Sequence, residues 1–227
     1  SGYGNVVVTN SLFDGNIAEA AMYSYSSGSS DREAYGGAIR IDLNRFSNNN
    51  SYTFPYETIL INNTFVNNKA LGSGTNYGKG GGIRLEWAQK ATLFNNLFWD
   101  NRANNFGSDS ARHEIYGYDD GNSVIYLGNN NWQHAKSKAD SYGSNNIDRD
   151  PRFVLDGSND QYALSDASFL IGGGIKSYDG KTAPTTDILG NSRPSGTSTD
   201  NPDMGAYENA LTKTTYPDKV ADLVAVT

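Results

Sequence analysis

Three stretches of this chain repeat one another without gaps, and no other feature of the sequence constrains the fold as strongly. They are residues 6–18 (VVVTNSLFDGNIA), 58–70 (TILINNTFVNNKA) and 91–103 (ATLFNNLFWDNRA). Each runs from a β-branched or apolar stretch through an asparagine corner, an aromatic residue and a second asparagine to a small alanine. Self-similarity of this kind is typical of a solenoid, in which every repeat packs on its neighbours.

The repeat aligns residues of the same type. The aromatic position holds Phe13, Phe65 and Phe98, and the second corner holds Asn16, Asn68 and Asn101. Parallel strands lie about 4.8 Å apart, so each asparagine corner would lie over the next one. Side-chain amides stacked in this way can hydrogen-bond in a ladder, and asparagine tolerates a left-handed backbone.

A second pair of segments, residues 36–42 (GGAIRID) and 80–86 (GGGIRLE), repeats another strand of the coil. In the first of them Ile39 and Ile41 alternate with Arg40 and Asp42, which is the period of two expected of a sheet with one buried face. No helical period competes with it. We predict an all-β fold, a right-handed parallel β-helix (solenoid), over residues 1–145. Because Val6 opens a repeat directly, we expect further coils upstream.

The repeat is lost after about residue 145. The sequence that follows contains DPRF at residues 150–153 and LSDASFLIGGG at residues 164–174. The end of a solenoid is an unpaired sheet edge, which proteins cover. We therefore predict closing coils and an irregular C-terminal cap over residues 146–210.

Composition excludes several classes of partner. The net charge is −7, the pI is near 4.8 and the basic residues are scattered, so we expect no nucleic-acid binding. No apolar stretch approaches the ~20 residues of a membrane span, so we expect no membrane insertion. The chain has no cysteine, which excludes disulfides and thiolate metal sites. Its two histidines, His113 and His134, fall in different coils, which argues against a Ser-His-Asp or zinc site.

Residues 187–208 (DILGNSRPSGTSTDNPDMGAYE) carry a family resemblance. They resemble the C-terminal signature of the "choice-of-anchor Q" domain family of bacterial secreted right-handed parallel β-helix proteins. The matching positions are Asp187, Gly190, Arg193, Asp203, Gly205, Ala206, Tyr207 and Glu208. The resemblance implies a secreted or cell-surface protein. The family includes both polysaccharide lyases and large adhesins, so the resemblance favours the fold more than any activity.

The last residues, 216–227 (YPDKVADLVAVT), resemble the first strand of a fibronectin type III domain. A dozen residues cannot fold as such a sandwich. We therefore interpret residues 211–227 as a linker and the beginning of another domain, and expect further domains of the same chain on both sides.

One face of the coil is the candidate for ligand binding. In β-helix polysaccharide lyases, as the resemblance implies, substrate lies along the outward side chains of one sheet. The positions expected on that face are Arg40, Asp42, Arg84, Glu86, Glu114, Tyr116 and Tyr118. Two stacked guanidiniums, Arg40 and Arg84, could clamp an acidic sugar, and they are the only candidates for lyase catalysis. The alternative is an exposed salt-bridge network of small energetic worth.

Other side chains suggest further roles. Trp87, Trp99 and Trp132 are candidates for stacking on sugars. The acidic pairs Asp119 with Asp120 and Asp148 with Asp150 are weak candidates for Ca²⁺, and no other cofactor is expected. Arg193, Asp203 and Glu208 are expected to form a structural charge cluster in the cap.

Two functions follow from these patterns. The first is a noncatalytic extracellular or cell-surface module of a larger exported bacterial protein, serving as an adhesin, a stalk or a carbohydrate-contacting surface. Its partner would be a glycan or another cell-surface molecule. The alternative is a polysaccharide lyase-like or hydrolase enzyme that acts on an acidic polysaccharide. A missing catalytic triplet favours the first.

Overall fold

The computed structural model describes residues 5–20, 23–25, 28–30, 33–42, 56–73, 78–86, 90–104, 114–117, 124–132, 143–197 and 199–212. All of the regular elements in these residues are β-strands. In chain order they are β1 Val6–Thr9, β2 Leu12–Asp14, β3 Ile17–Glu19, β4 Tyr23–Tyr25, β5 Gly28–Ser30, β6 Ala34–Tyr35, β7 Ile39–Asp42, β8 Glu57–Ile61, β9 Thr64–Val66, β10 Lys69–Leu71, β11 Gly78–Lys79, β12 Ile83–Glu86, β13 Lys90–Phe94, β14 Leu97–Trp99, β15 Arg102–Ala103, β16 Ile115–Gly117, β17 Val124–Gly128, β18 Gly143–Ser144, β19 Ser177–Tyr178 and β20 Lys181–Thr182.

Equivalent strands of successive repeats pair in parallel. The largest sheet has the order β1-β8-β13-β17-β18, and smaller sheets have the orders β2-β9-β14, β3-β10-β15, β6-β11 and β7-β12-β16. The register is that of the sequence repeat: Leu60 pairs with Val8 on one side and with Leu93 on the other. The all-β class, the parallel strands and the stacked asparagines predicted from the sequence are confirmed.

Apolar side chains from several sheets meet in one interior cluster. Its buried members are Ile41, Leu60, Phe65, Ile83, Leu85, Ala91, Leu93, Phe98, Leu127 and Trp132. The three repeat phenylalanines stack within it: the ring centroids of Phe13 and Phe65 are 4.8 Å apart, and those of Phe65 and Phe98 are 4.7 Å apart. These centroid distances match the spacing between neighbouring strands, so the aromatic stack follows directly from the parallel register.

Two asparagine ladders connect the coils. The first ladder consists of Ser11, Asn63, Asn96, Asn130 and Asn146, and the second of Asn16, Asn68 and Asn101. Asn96 shows the pattern of the inner members: its Oδ1 accepts from both the backbone N–H and Nδ2 of Asn63, each at 3.0 Å. Its Nδ2 donates to the carbonyl of Leu60 at 2.8 Å. Buried amides are thus bonded both to backbone and to each other, which their burial requires.

Each corner is preceded by a residue in the left-handed conformation. At the first corner these residues are Asn10, Asn62, Asn95, Asn129 and Asn145, with φ between 47° and 59°. At the second corner they are Gly15, Asn67 and Asp100, with φ between 53° and 66°. Glycine, asparagine and aspartate are the residues that adopt this conformation at the lowest cost.

Residues 150–197 and 199–212, which we name the flank segment, lie along the side of the stacked coils. Buried side chains of this segment, including Leu164, Leu170 and Met204, pack on Leu97 of β14. Ile175, Tyr178 and Ala183 pack on the outer apolar side chains of β8 and β13. The segment contacts coil after coil, from Asn10 to Asn129, so it covers the side of the stack along much of its length.

The flank segment is attached at the first corner by hydrogen bonds from the left-handed asparagines. Asn62 Nδ2 donates to the carbonyls of Asp203 and Gly205 at 2.9 and 3.2 Å. Asn95 both donates to the carbonyl of Ile175 and accepts from its N–H, each at 2.8 Å. Gly205 has φ of 99°, and a Cβ there would lie 2.8 Å from Oγ1 of Thr64, so this close approach requires glycine.

Candidate functional site

Strands β6, β7, β11, β12 and β16 bring cationic and aromatic side chains together. Arg40, Arg84 and Tyr116 occupy equivalent positions on neighbouring strands, and Tyr35 pairs with Lys79 on the adjacent sheet. We name the surface formed by these five residues and Glu33 the Arg–Tyr face. Its outward positions follow from the strand alternation, since the neighbours of Arg84, Ile83 and Leu85, lie in the interior cluster.

The guanidiniums of this face lie over tyrosine rings. The Cζ atom of Arg84 is 3.8 Å from the ring centroid of Tyr35 and 5.2 Å from that of Tyr116. The Cζ atom of Arg40 is 4.8 Å from the centroid of the same Tyr35 ring. These distances lie within the range of cation–π attraction. The two rings cover Arg84, which is 3% exposed, whereas Arg40 is exposed.

Glu33 is the acid described on this face. Its Oε2 accepts from the hydroxyl of Tyr35, and its Oε1 lies 2.5 Å from Nζ of Lys79. Partial burial raises the pKa of Glu33, but the hydrogen bonds from Lys79 and Tyr35 and the charges of Lys79 and Arg84 outweigh it and lower the pKa. Glu33 is therefore ionised, and it fixes the orientation of the Tyr35 ring beneath Arg40.

The sequence prediction for this face holds only in part. Arg40 and Arg84 stack in register, but the burial of Arg84 prevents it from serving as the second arm of a clamp for an external ligand. Asp42 and Glu86 pair in register, and the structure describes only their backbone. Tyr118 lies outside the described residues, as do Asp119 and Asp120.

The prediction that Glu114 continues the outer surface is wrong. Its side chain is 2% exposed, and its Oε2 accepts from Nδ2 of Asn101 at 2.5 Å. The physical reason is that β16 begins at Ile115, so Glu114 precedes the strand and the alternation of inward and outward side chains does not apply to it.

The tryptophans and the remaining acids are distributed away from the Arg–Tyr face. Trp132 is buried in the interior cluster and is closed to a sugar, whereas Trp99 is half-buried and packs against the flank segment. Trp87, His113 and His134 lie outside the described residues. Asp148 and Asp150 are exposed, and within the described part of the chain no group of three or more His, Cys, Asp or Glu side chains is arranged to hold a metal ion.

The predicted charge cluster is present in the flank segment. Nε of Arg193 lies 3.1 Å from Oε2 of Glu208, and both side chains are almost fully buried. Asp203 Oδ1 and Oδ2 accept from the N–H groups of Gly172 and Asn209, each at 2.7 Å. Burial, assisted by the charge of Glu208, raises the pKa of Asp203 to about 7.

A third acid, Asp187, belongs to the same cluster and was assigned no role from the sequence. Its Oδ1 accepts from the N–H groups of Leu189 and Asn191, at 2.9 and 2.8 Å. Its Oδ2 accepts from the N–H of Glu208 at 3.0 Å. The hydrogen bond from the N–H of Leu189 to the side chain of Asp187, two residues earlier, is that of an Asx turn. An aspartate that can begin such a turn is the sequence signal for the position of Asp187. Burial lowers the pKa of Arg193, and the three acids around it oppose that shift.

Comparison of the chain with protein-family models, with curated proteins and with solved structures gave no match. Within the described residues there is also no helix with the length and apolar character needed to cross a membrane. The residues themselves therefore carry the argument about function.

Proposed function

We propose that this chain is a right-handed parallel β-helix module of a larger exported bacterial protein, located outside the cell or at its surface. In this proposal the coils close into one solenoid, and the module acts as a rigid, noncatalytic stalk or adhesin segment. The Arg–Tyr face, through Arg40, contacts an acidic glycan. The resemblance of residues 187–208 to the "choice-of-anchor Q" family favours the location, and residues 211–227 would lead into the next domain.

The observation that supports a structural role best is the bonding of the buried polar groups. Asn63, Asn96 and Asn130 are fully buried. The Nδ2 group of each one donates both to a backbone carbonyl of the preceding coil and to Oδ1 of the next asparagine in the ladder. Satisfied buried networks make a structure rigid and specify one register. The titratable groups of the Arg–Tyr face are in turn paired with rings or with Glu33, which is typical of a static surface.

The glycan contact is supported by the exposure of Arg40. Its guanidinium lies over the Tyr35 ring, which restricts its orientation. A guanidinium held in this way binds a carboxylate or a sulfate through paired N–H groups. The described cations of the face are Arg40, Arg84 and Lys79, and Arg40 is the exposed one, so an anionic ligand would meet a guanidinium there.

The test combines binding and catalysis. The parent, Arg40→Ala and the matched control Arg102→Ala are applied to an array of acidic and neutral glycans. Arg102 is also exposed, but it lies on a different sheet from Arg40 and pairs with Asp100. We expect binding of uronate-containing or sulfated glycans, weakened about tenfold or more by Arg40→Ala, because a charge-assisted hydrogen bond contributes about 1.5–3 kcal/mol. Arg102→Ala should bind as the parent does.

Two results would count against the proposal. Equal binding by all three proteins would show that Arg40 does not contact the glycan. Release of unsaturated uronate products, followed by ultraviolet absorbance on the same glycans, would show a lyase and contradict the noncatalytic role.

A further inference from the structure

The second ladder ends on a carboxyl group in place of an amide. Asn68 donates its backbone N–H and its Nδ2 to Oδ1 of Asn101, at 3.0 and 2.7 Å. Asn101 in turn donates both of its groups to the carboxyl of Glu114. The carboxyl of Glu114 thus accepts the same two donors that the next asparagine of the ladder would accept.

The other half of the Glu114 side chain lacks the donor that an asparagine supplies. Nδ2 of Asn68 donates to the carbonyl of Phe13, and Nδ2 of Asn101 donates to the carbonyl of Phe65, both at 2.9 Å. An ionised carboxylate has no hydrogen to donate, whereas a protonated one has the donor and acceptor of a primary amide. Oε1 of Glu114 is buried, and none of the described residues hydrogen-bonds to it. An anion with an unpaired buried oxygen is costly.

The charges around Glu114 also favour the neutral acid. Burial is the main cause that raises its pKa well above the ordinary value, and the acids Asp100 and Asp148 raise it further, against the hydrogen bonds from Asn101. Among the described residues, the cation that follows Asn101 is Arg102, which is exposed and pairs with Asp100. Ionisation of Glu114 would therefore place a third negative charge beside two others.

The backbone of Glu114 connects this carboxyl to the Arg–Tyr face. Its carbonyl accepts from the N–H groups of Gly82 and Ile83, at 3.1 and 2.9 Å, where β12 begins. Two residues later, Tyr116 covers the guanidinium of Arg84. A movement of Glu114 away from Asn101 would pull on both contacts.

We infer that Glu114 is a protonated member of the second ladder and that loss of its proton in alkaline surroundings separates residues 114–117 from β12 and uncovers Arg84. The device is a pH-dependent switch of one part of the Arg–Tyr face: Arg84 is covered when Glu114 is neutral and is uncovered when Glu114 ionises. A group whose pKa is raised by folding stabilises the folded state at low pH, and that stabilisation is lost as the pH rises through the raised pKa.

The test is hydrogen exchange, measured by NMR and corrected for intrinsic rates, at several pH values between about 5 and 9. The parent is compared with Glu114→Gln, which keeps the donor and acceptor of the neutral acid, and with Glu19→Gln, a control at an exposed acid. In the parent and in Glu19→Gln, protection of the Ile83 and Asn101 amides should fall about tenfold per pH unit above the raised pKa. In Glu114→Gln it should stay constant.

The amides of Asn63 and Asn96 in the first ladder serve as an internal reference, and they should stay protected in all three proteins. Equal decline at Ile83 in the parent and in Glu114→Gln would overturn the inference. A second readout does not depend on the variant: the carboxyl ¹³C shift of Glu114 should remain that of a neutral acid at neutral pH. Titration of that shift near the ordinary pKa of glutamate would also overturn it.

Discussion

The two corners of each coil have the same backbone conformation but meet different partners. At the first corner all five left-handed residues are asparagines, and four of them, Asn10, Asn62, Asn95 and Asn129, donate to backbone carbonyls of the flank segment. At the second corner Gly15, Asn67 and Asp100 take the same place. The conformation alone tolerates glycine, asparagine or aspartate, so the uniform asparagines of the first corner reflect attachment of the flank segment.

The largest effect is expected where that attachment includes buried charge. Arg193→Met leaves Glu208 buried without its cation, and the loss of one partner from a buried pair costs about 3–5 kcal/mol of unfolding free energy. Arg152→Met is the matched control, because the Arg152 side chain is exposed. Urea denaturation measures the unfolding free energy of both variants. A loss below about 1 kcal/mol in Arg193→Met would show that the cluster does not hold the flank segment.

The ladders themselves come next. Asn96→Leu leaves the buried N–H of Asn63 without its partner and removes a hydrogen bond to the carbonyl of Leu60, which should cost about 3 kcal/mol. Asn16→Leu changes the exposed first member of the second ladder and should cost under about 1 kcal/mol. Similar losses at the two positions in thermal or urea unfolding would contradict a role for buried ladder hydrogen bonds.

The pH dependence of stability separates the flank cluster from the second ladder. The pKa of Asp203 is 3.8 when unfolded and about 7 when folded, so its contribution is present in acid and is lost as the pH rises from about 4 to 7. In a Glu114→Gln background, which removes the buried acid of the second ladder, the unfolding free energy should still fall by about 1–3 kcal/mol over that window. Stability that rises steadily from pH 5 to pH 8 would be incompatible with a buried, neutral Asp203.

A pair of glycine substitutions isolates the difference between the corners. Glycine keeps the left-handed conformation, so Asn95→Gly removes the two hydrogen bonds to Ile175 and the one to Oδ1 of Asn62, and it should cost about 1–2 kcal/mol. Asn67→Gly, at the second corner, removes a contact with the Tyr162 hydroxyl that is partly open to solvent and should cost about 0.5 kcal/mol. If the two variants unfold at the same midpoint, the first corner does not stabilise the protein more than the second corner does.

The strands and ladders could be predicted from the sequence because they depend on local periods. Alternation placed Ile39 and Ile41 inside, and the gapless repeat aligned Phe13, Phe65 and Phe98. The burial of Arg84 could not be predicted in this way, because the Tyr35 ring that covers it comes from a neighbouring sheet. Which side of the coils the flank segment covers is likewise decided by tertiary contacts. Residues 150–212 contain no sequence repeat from which that side could be predicted.

The central claim is that side-chain amides of one coil accept the backbone N–H groups of the preceding coil. Scalar couplings across hydrogen bonds, measured by NMR on isotopically labelled protein, test it directly. We predict couplings from the backbone nitrogens of Asn63, Asn68 and Asn96 to the side-chain carbonyl carbons of Asn96, Asn101 and Asn130 respectively. Couplings from these nitrogens to backbone carbonyls instead, or rapid exchange of their amide protons with solvent, would contradict it.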